Sequence, residues 1–293
     1  MPWIQIKIDA HSDQVSQCED WLLEAGAEVV TLEDGADQPL FEPPPGATPL
    51  WDHTRVVGLF QAGIDSEATI AWLKEQAEPE PLYVRAELLE DKDWEREWMK
   101  NFHPIQCGQR LWICPSWREP PEPDAVNLKL DPGLAFGTGT HPTTALCLQW
   151  LDQQDLTGKQ VIDYGCGSGI LGIAALLLGA QEVLAVDNDP QALTATRDNA
   201  QRNDVQERIV PVLPDQVPER QADVMVANIL AQPLLQLAPR LAQLTRPGGL
   251  LALSGILQEQ AEQIVQCYQQ WFEIESVEQQ EDWVRVSGRR KAS

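Results

Sequence analysis

Apolar positions in the first ninety residues recur with two periods, one typical of strands and one typical of helices. Residues 3–8 alternate between apolar and polar side chains, as a half-buried strand does. Residues 15–25 repeat apolar side chains at helical spacing, and Gly26 is placed to end that helix. Further elements are predicted at 28–32, 55–60 and 82–89 for strands and at 65–73 for a helix. This β-α-β-β-α-β order favours a small α+β domain of the ferredoxin-like kind.

The stretch from 91 to 103 combines many charges with good helix formers, so an exposed helix is expected there. Trp94 and Trp98 are four residues apart and share one face of that helix. We expect this face to pack on a neighbouring domain. The alternative is a linker whose docking controls how the two domains sit. The chain should therefore have three parts, with a small domain at 1–90, a linker helix at 91–103 and a larger domain at 104–293.

Beyond residue 103 the chain alternates apolar strands with helices, as doubly wound α/β domains do. Strands are predicted at 111–114, 160–162, 183–186, 209–212, 223–227 and 250–253. Helices are predicted at 144–151 and 170–178, and another begins at Asp189-Pro190, with proline at the tolerated first position. The end differs, because 272–277 and 283–286 have the pattern of a β-hairpin. The expected fold is a Rossmann-like α/β domain with a late antiparallel hairpin.

Charge narrows the range of partners. The 293 residues carry a formal net charge of −24, which repels polyanions such as naked RNA or DNA. This charge suits a basic partner, although solubility alone is an equally good explanation of it. A direct nucleic-acid partner is therefore not expected.

Cysteine usage points to a reducing compartment, and the N-terminal sequence bears on targeting. The six cysteines show no C-x-x-C spacing and the four histidines are scattered, so neither a metal site nor a redox pair is predicted. The chain starts with an alternating strand and not with a signal peptide. Its longest apolar run, residues 170–180, is too short to span a bilayer. We expect a cytoplasmic protein without a membrane partner, and a monomer, since nothing indicates an obligate oligomer.

The strongest chemical signal is a glycine-rich turn between a predicted strand and a predicted helix. Residues 163–169 have the sequence DYGCGSG. Glycines at such a turn let a ligand approach the backbone and expose N–H groups at the start of the helix. Asp187 follows Gly165 by 22 residues, at the end of the next strand, where a carboxylate can accept both ribose hydroxyl hydrogens of an adenosine. The pattern predicts a nucleoside-containing cofactor, and the alternative is a turn that serves strand–helix packing alone.

The spacing of the glycines distinguishes between cofactors. Gly165, Gly167 and Gly169 are spaced G-x-G-x-G, whereas dinucleotide folds use G-x-G-x-x-G over a pyrophosphate. With Asp163 before it, this spacing resembles the first motif of class I methyltransferases. Their cofactor, S-adenosylmethionine, has no phosphate.

Further stretches make the resemblance specific. Residues 136–144 read FGTGTHPTT just before a predicted helix, and residues 226–230 read VANIL at the end of a predicted strand. The segments EDKDWEREW at 90–98 and LWICPSW at 111–117 match the same family. Together these motifs resemble the ribosomal protein L11 methyltransferases over nearly the whole chain, with no departure at the positions that matter for cofactor binding.

The resemblance implies S-adenosylmethionine as the cofactor and assigns residues to it. The positions that it assigns are Thr144, Gly165, Gly167, Asp187, Asn228, Phe136 and His141. Asp187 would hold the ribose, and the backbone of Gly165 would line the methionine side. Asn228 would face the methyl-donor region as the catalytic residue. Phe136 and His141 would belong to a loop that covers the cofactor, although for His141 a local hydrogen bond that holds the loop is the favoured interpretation.

The resemblance also implies a substrate, a basic ribosomal protein that the N-terminal domain recognises. Its lysine side chains and N-terminal amine would become trimethylated. A free lysine has a pKa of about 10.4 and must lose its proton before it can attack a methyl group, and burial favours the neutral form. The side-chain oxygen of Asn228 is placed to accept an N–H bond from the amine and to aim its lone pair. No dedicated general base is predicted, because positioning supplies much of the rate.

Other functions fit the sequence less well. Methyltransferases of glutamine or adenine place Pro-Pro-Tyr after the residue equivalent to Asn228, whereas this chain has Ile229-Leu230-Ala231. An NAD-linked dehydrogenase would need the other glycine spacing. A scaffold that only grips a ribosomal protein would need neither Asn228 nor the loop at 136–144. Cofactor consumption without a methylated product would favour the scaffold.

Overall fold

The computed structural model describes residues 3–36, 51–78, 81–89, 103–131 and 141–292. The chain divides into two compact units, Met1–Met99 and Lys100–Ser293. The helix expected at 91–103, with Trp94 and Trp98, lies outside the described residues except for its last residue. Phe136 and most of the predicted covering loop also lie outside them. No helix in the described ranges is both long and apolar enough to cross a bilayer.

In its described part, the first unit contains a four-stranded antiparallel sheet and two helices. Its elements are β1 (Trp3–His11), α1 (Val15–Glu24), β2 (Val29–Asp34), β3 (His53–Gln61), α2 (Ser66–Gln76) and β4 (Tyr83–Leu89). The strand order is β2-β3-β1-β4, and each neighbouring pair is antiparallel. Alternate residues of β1, Ile6 and Ile8, share a buried core with Leu22 of α1 and Leu73 of α2. The predicted strands and helices are thus present in the predicted order.

The second unit begins with a small sheet of its own. Its described strands are β5 (Ile105–Cys107), β6 (Leu111–Cys114) and β7 (Val126–Lys129). Strand β6 pairs antiparallel with β5 and parallel with β7. The strand predicted at 111–114 therefore exists, but it lies outside the main sheet. Its two neighbours were not predicted, since strands of three and four residues show too little periodicity.

A mixed sheet of seven described strands forms the centre of the second unit. These strands are β8 (Gln160–Tyr164), β9 (Glu182–Val186), β10 (Ile209–Val212), β11 (Ala222–Asn228), β12 (Thr245–Leu257), β13 (Phe272–Gln280) and β14 (Trp283–Arg290). Their order is β10-β9-β8-β11-β12-β14-β13. The first five run parallel, whereas β14 and β13 form the predicted antiparallel hairpin. The strand order reverses between β8 and β11, where α/β proteins commonly bind ligands at the carboxyl ends of the strands.

Helices cover both faces of this sheet. They are α3 (Pro142–Gln153), α4 (Ile170–Leu177), α5 (Pro190–Arg202), α6 (Ala231–Leu244) and α7 (Ala261–Tyr268). Successive side chains of a strand point to opposite faces. In β11, Val224 and Val226 belong to the core shared with α3, α4 and α5, whereas Met225 and Ala227 belong to the core shared with α6 and α7. The doubly wound α/β arrangement is therefore confirmed, although α6 and α7 were not predicted.

Candidate active site

The turn after β8 adopts a backbone that only glycine accommodates easily. Gly165, Gly167 and Gly169 have φ angles of +79°, +52° and +78°, in the left-handed region. The backbone N–H groups of Gly165 and Cys166 both donate to the carbonyl of Val186, at 2.7 and 3.0 Å. These bonds fix the turn beside the end of β9. The sequence motif therefore forms a turn that lacks side chains at Gly165, Gly167 and Gly169, where a ligand can approach the backbone closely.

Crowding at the turn gives a second reason for glycine. A Cβ atom on Gly165 would lie 2.1 Å from Cγ2 of Ile229, which follows β11. A Cβ on Gly169 would lie 2.8 Å from Cγ2 of Thr196 on α5. Real Cβ atoms essentially never make contacts this short. The turn is thus packed against the end of β11 on one side and against α5 on the other.

Asp187 lies directly beside this turn. Its Oδ2 accepts a hydrogen bond from the backbone N–H of Gly167 at 2.9 Å, and its Oδ1 accepts one from the N–H of Asp189 at 3.0 Å. Each carboxylate oxygen has a second lone pair, so both can still accept from a ligand hydroxyl. The side chain is half-buried and therefore reachable. The structure brings Asp187 and the glycines together as the 22-residue spacing predicted.

Asn228 and Thr144 form a polar pair at the end of β11, the strand next to β8 in the sheet. Asn228 is the last residue of β11, and Thr144 lies in the first turn of α3. The Nδ2 group of Asn228 donates to Oγ1 of Thr144 at 3.3 Å. Thr144 is fully buried, whereas Asn228 is half-buried. This bond orients the amide and leaves its Oδ1 without a donor in the described part of the chain.

His141 holds the start of α3. It is the N-cap residue, and its Nδ1 accepts from the backbone N–H of Thr143 at 3.3 Å and lies 2.7 Å from the hydroxyl of Thr143. Its ring also meets the edge of the Trp283 ring, with 5.0 Å between the centroids. Burial lowers the pKa of His141, and the charge of Glu281 opposes this only in part. A neutral His141 is therefore expected at neutral pH, as the local holding role requires.

Asp163 is a buried carboxyl beneath the turn. Its Oδ2 accepts a hydrogen bond from the N–H of Gly172 at 2.9 Å, while Oδ1 has no hydrogen-bond partner among the described residues. Burial raises the pKa of Asp163 to about 7; the Gly172 N–H opposes this shift and the charge of Asp187 adds to it. A substantial fraction of Asp163 is therefore protonated near neutral pH.

Cys166 lies inside the glycine turn, but its thiol is not a reactive nucleophile. Its side chain is buried, and its Sγ lies 3.4 Å from the hydroxyl of Thr196. Burial raises the pKa of this thiol well above its usual range, and the nearby Asp163 raises it further. Because the thiolate is the reactive form, a neutral Cys166 is a packing residue.

Gly255 is a part of the site that the sequence pattern did not reveal. It lies in β12 with a φ of +82°, where the pairing with β14 shifts between Leu253 and Ile256. A Cβ on Gly255 would lie 2.3 Å from the carbonyl oxygen of Ile229. The residue after Asn228 is thus enclosed between Gly165 and Gly255. The available signal was a single glycine inside an apolar strand, which is typical of a bulge or of a close backbone approach.

The described residues fit a nucleoside cofactor and offer no metal site. The turn has glycine at three alternate positions, and Asp187 provides acceptors beside it. Asn228 and Thr144 stand at the adjacent strand end. No group of three or more potential metal ligands occurs within the described ranges. Of the residues predicted for the site, Phe136 alone falls outside those ranges.

Comparison with known proteins identifies relatives over the full length. The family model described as "Ribosomal protein L11 methyltransferase (PrmA)" matches residues 2–291. A ribosomal protein L11 methyltransferase of Marinobacter nauticus is 60% identical over 296 residues, which is 99% of each chain. A protein of the same name from Cellvibrio japonicus is also 60% identical, over 98% of each chain. The crystal structure of a ribosomal protein L11 methylase from Lactobacillus delbrueckii subsp. bulgaricus superposes with a TM-score of 0.60 at 36% identity, covering 65% of this chain and all of that one.

Proposed function

The chain belongs to the ribosomal protein L11 methyltransferase family, as its motifs predicted, and from this premise we propose that it methylates amines of ribosomal protein L11 with S-adenosylmethionine. The products would be trimethylated lysine side chains and a trimethylated N-terminal amine. The observation that carries this proposal is the placement of Asn228. The bond to Thr144 uses one N–H of its amide group and leaves its oxygen as an acceptor beside the glycine turn.

Each predicted site residue has a role in holding the cofactor. Asp187 accepts the ribose hydroxyls, and the backbone of Gly165 and Gly167 lines the methionine side. Thr144 and Asn228 border the methyl-donor region. Phe136 and His141 belong to the covering loop, where His141 fixes the start of α3. Bound S-adenosylmethionine supplies an electrophilic methyl group.

The protein groups have little covalent work to do. The attacking amine must be neutral. With an ordinary pKa of about 10.4 it is protonated in water at neutral pH, so it must lose a proton to solvent as it enters the site. The Asn228 oxygen accepts an N–H from this amine and orients its lone pair. Alignment of this kind accounts for a large share of the rate. No general base is required.

We also propose the division of labour between the two units. Residues 1–90 form a ferredoxin-like substrate-recognition domain, residues 91–103 a linker helix, and residues 104–293 the catalytic domain. The antiparallel order β2-β3-β1-β4 with two helices supports the first assignment. The segment Met1–Met99 holds 22 acidic and 6 basic side chains, a net −16 of the chain's −24. This excess supports a basic protein partner over a nucleic acid.

The remaining assignments follow from the proposed substrate. A partner made in the cytoplasm and six unpaired thiols support a cytoplasmic enzyme. The enzyme acts as a monomer, without direct contact to nucleic acid or membrane.

The proposal is tested with methyl-labelled S-adenosylmethionine. Purified protein is offered free ribosomal proteins in one reaction and bare ribosomal RNA in another. Label in one basic ribosomal protein is the expected result. Label in RNA would overturn the substrate assignment, whereas cofactor binding without transfer to either would favour the scaffold role.

A further inference from the structure

Helix α5 and its C-terminal cap residue, Asn203, carry a row of buried polar side chains on the face that meets the glycine turn. Thr196 is fully buried, and Asn199 and Asn203 are each 8% exposed. These positions are three and four residues apart, so they share one face of the helix. Core-facing helix positions are normally apolar. Buried polar groups need hydrogen-bond partners, and the identity of those partners shows what this face does.

The first two residues hold consecutive carbonyl groups of the turn. The Thr196 hydroxyl donates to the carbonyl of Gly167 at 3.1 Å, and the Nδ2 group of Asn199 donates to the carbonyl of Ser168 at 2.9 Å. In a planar trans peptide the C=O and the following N–H point in opposite directions. Fixing the Gly167 and Ser168 carbonyls toward α5 therefore also fixes the N–H groups of Ser168 and Gly169, and the second of these donates to the carbonyl of Cys166 at 2.7 Å.

The turn is thus held by two different parts of the chain. Its carbonyls at Gly167 and Ser168 accept hydrogen bonds from Thr196 and Asn199, and its Gly167 N–H donates to Asp187. The turn also packs closely against α5, because a Cβ on Gly169 would lie only 2.8 Å from Cγ2 of Thr196. Asp187 and the turn therefore keep one relative position, which a ligand that contacts both requires.

The third residue extends this row to another element. Asn203 accepts from the backbone N–H of Lys129 at 2.7 Å and donates to the carbonyl of Lys129 at 2.8 Å. Lys129 ends β7, the strand that precedes residues 132–140. The same Nδ2 group donates to the carbonyl of Asn199 at 2.8 Å. One helix face therefore binds both the glycine turn and the strand before the predicted covering loop.

We propose that Thr196 and Asn199 are positioning residues for the cofactor. Asn203 holds the end of β7 against the same helix face. This inference rests on the proposed function, since it assumes that the turn binds S-adenosylmethionine. The two side chains touch the turn and not the ligand, so their loss weakens cofactor binding through the backbone. The alternative, in which these groups only satisfy a buried interface, predicts altered stability with unchanged affinity.

Three substitutions on α5 separate these roles. Thr196→Val keeps the shape and removes the hydroxyl, whereas Thr196→Ser keeps the hydroxyl. Thr194→Val removes the same group at an exposed position of the same helix, where the Thr194 hydroxyl donates to the carbonyl of Pro190. S-adenosylhomocysteine binding is measured by calorimetry, kcat is measured at saturating cofactor, and thermal unfolding is followed without ligand.

We expect Thr196→Val to raise the Kd for S-adenosylhomocysteine about tenfold, equivalent to about 1.4 kcal/mol, with kcat within about twofold of the wild type. Thr196→Ser should restore wild-type affinity, and Thr194→Val should not alter it. Wild-type affinity in Thr196→Val, or equal losses in the valine and serine variants, would overturn the proposal.

A second variant keeps the test decisive if Thr196→Val does not fold. Asn199→Ala removes the bond to Ser168 and should raise the Kd in the same way, and hydrogen exchange of residues 165–169 should accelerate. Unchanged affinity and exchange in a folded Asn199→Ala protein would contradict the inference. Failure of the wild type to bind S-adenosylhomocysteine would instead contradict the cofactor assignment itself, so the two failures are distinguishable.

Discussion

At the scale of single residues, the site depends on where two side chains place their acceptors. Asp187 follows β9 and Asn228 ends β11, the two strands on either side of β8, and each side chain is oriented by a hydrogen bond. Both were predictable from sequence, because their motifs carry the chemistry locally. The pairing of Asn228 with Thr144 was not predictable, since it joins residues 84 positions apart.

Asn228→Ala should lower kcat by about two orders of magnitude, because the amine loses the acceptor that aims it. Thermal unfolding should change little, since Asn228 is only half-buried. Single-turnover methyl transfer at saturating cofactor measures the effect. The matched control is Thr144→Ser, which keeps the hydroxyl that orients the amide and should keep most of the rate. Full turnover in Asn228→Ala would exclude the assigned role.

Asp163 should make stability depend on pH. Its pKa is raised to about 7 in the folded protein, above an unfolded value of about 3.9, so its contribution is fully present below pH 3.9 and is lost as the pH rises through 7. Asp163→Asn removes this loss. Relative to the wild type, the variant should therefore gain roughly 2 kcal/mol of unfolding free energy between pH 5 and pH 8.

Urea unfolding at the two pH values measures this difference. Asp198→Asn is the control, because Asp198 is exposed on α5, and its curve should run parallel to that of the wild type. A pH dependence of Asp163→Asn that matches the wild type would show that Asp163 is ionised throughout this range.

At the scale of elements, the path of the chain after Asn228 is fixed by two glycines. Ile229 is enclosed between Gly165 and Gly255, which belong to β8's turn and to β12. The sequence predicted the first glycine from its motif. It did not predict the second, because the contact depends on the parallel pairing of β11 with β12. The strand predicted at 250–253 extends over 245–257. Pairing with β14 carries it to Leu257, and Thr245 at its start pairs with Ala222 of β11.

Gly255→Ala tests this enclosure against Gly248→Ala. Both glycines lie in β12 with positive φ, at +82° and +73°, but a Cβ on Gly248 meets nothing within 4 Å. Gly248→Ala should therefore cost only the backbone penalty of about 1–2 kcal/mol. Gly255→Ala adds a clash with Ile229, and it should lower both stability and kcat further. Denaturant unfolding and methyl-transfer rates measure the two effects, and equal losses in the two variants would refute the enclosure.

Only some of the helices and strands were predictable from the sequence. Elements such as β1 and α1 were predictable because their apolar side chains recur with a clear period. The short strands β5 and β7 and the helices α6 and α7 were not predicted, although α6 has 14 residues. Hydrogen bonds from buried polar side chains of α5, such as that of Thr196 to Gly167, were also missed. Polar residues on a helix normally indicate its exposed face.

At the scale of the whole molecule, charge is distributed unevenly along the chain. The segment Met1–Met99 carries a net −16, and Lys100–Ser293 carries the remaining −8. The total net charge was evident from composition. Its unequal division between the two units becomes clear only once the structure gives the boundary between them. We expect the first unit to attract a basic protein at long range.

Raising the salt from about 0.1 M to about 1 M shortens the Debye length from about 10 Å to about 3 Å. The value of kcat/KM for L11 should then fall by about tenfold or more, while kcat at saturating L11 should change little. Neutralising Asp20 and Glu24 on α1 should weaken this salt dependence. Neutralising Glu259 and Glu262, which are also exposed but lie in the second unit, should leave it intact. A salt-independent kcat/KM would exclude steering.

The most direct test of the account is the mass of free ribosomal protein L11 after incubation with this protein and saturating S-adenosylmethionine. We predict mass increments in sets of three methyl groups, which peptide mapping places on lysine side chains and the N-terminal amine. An unmodified L11, under conditions in which the cofactor is shown to bind, would contradict the proposed function.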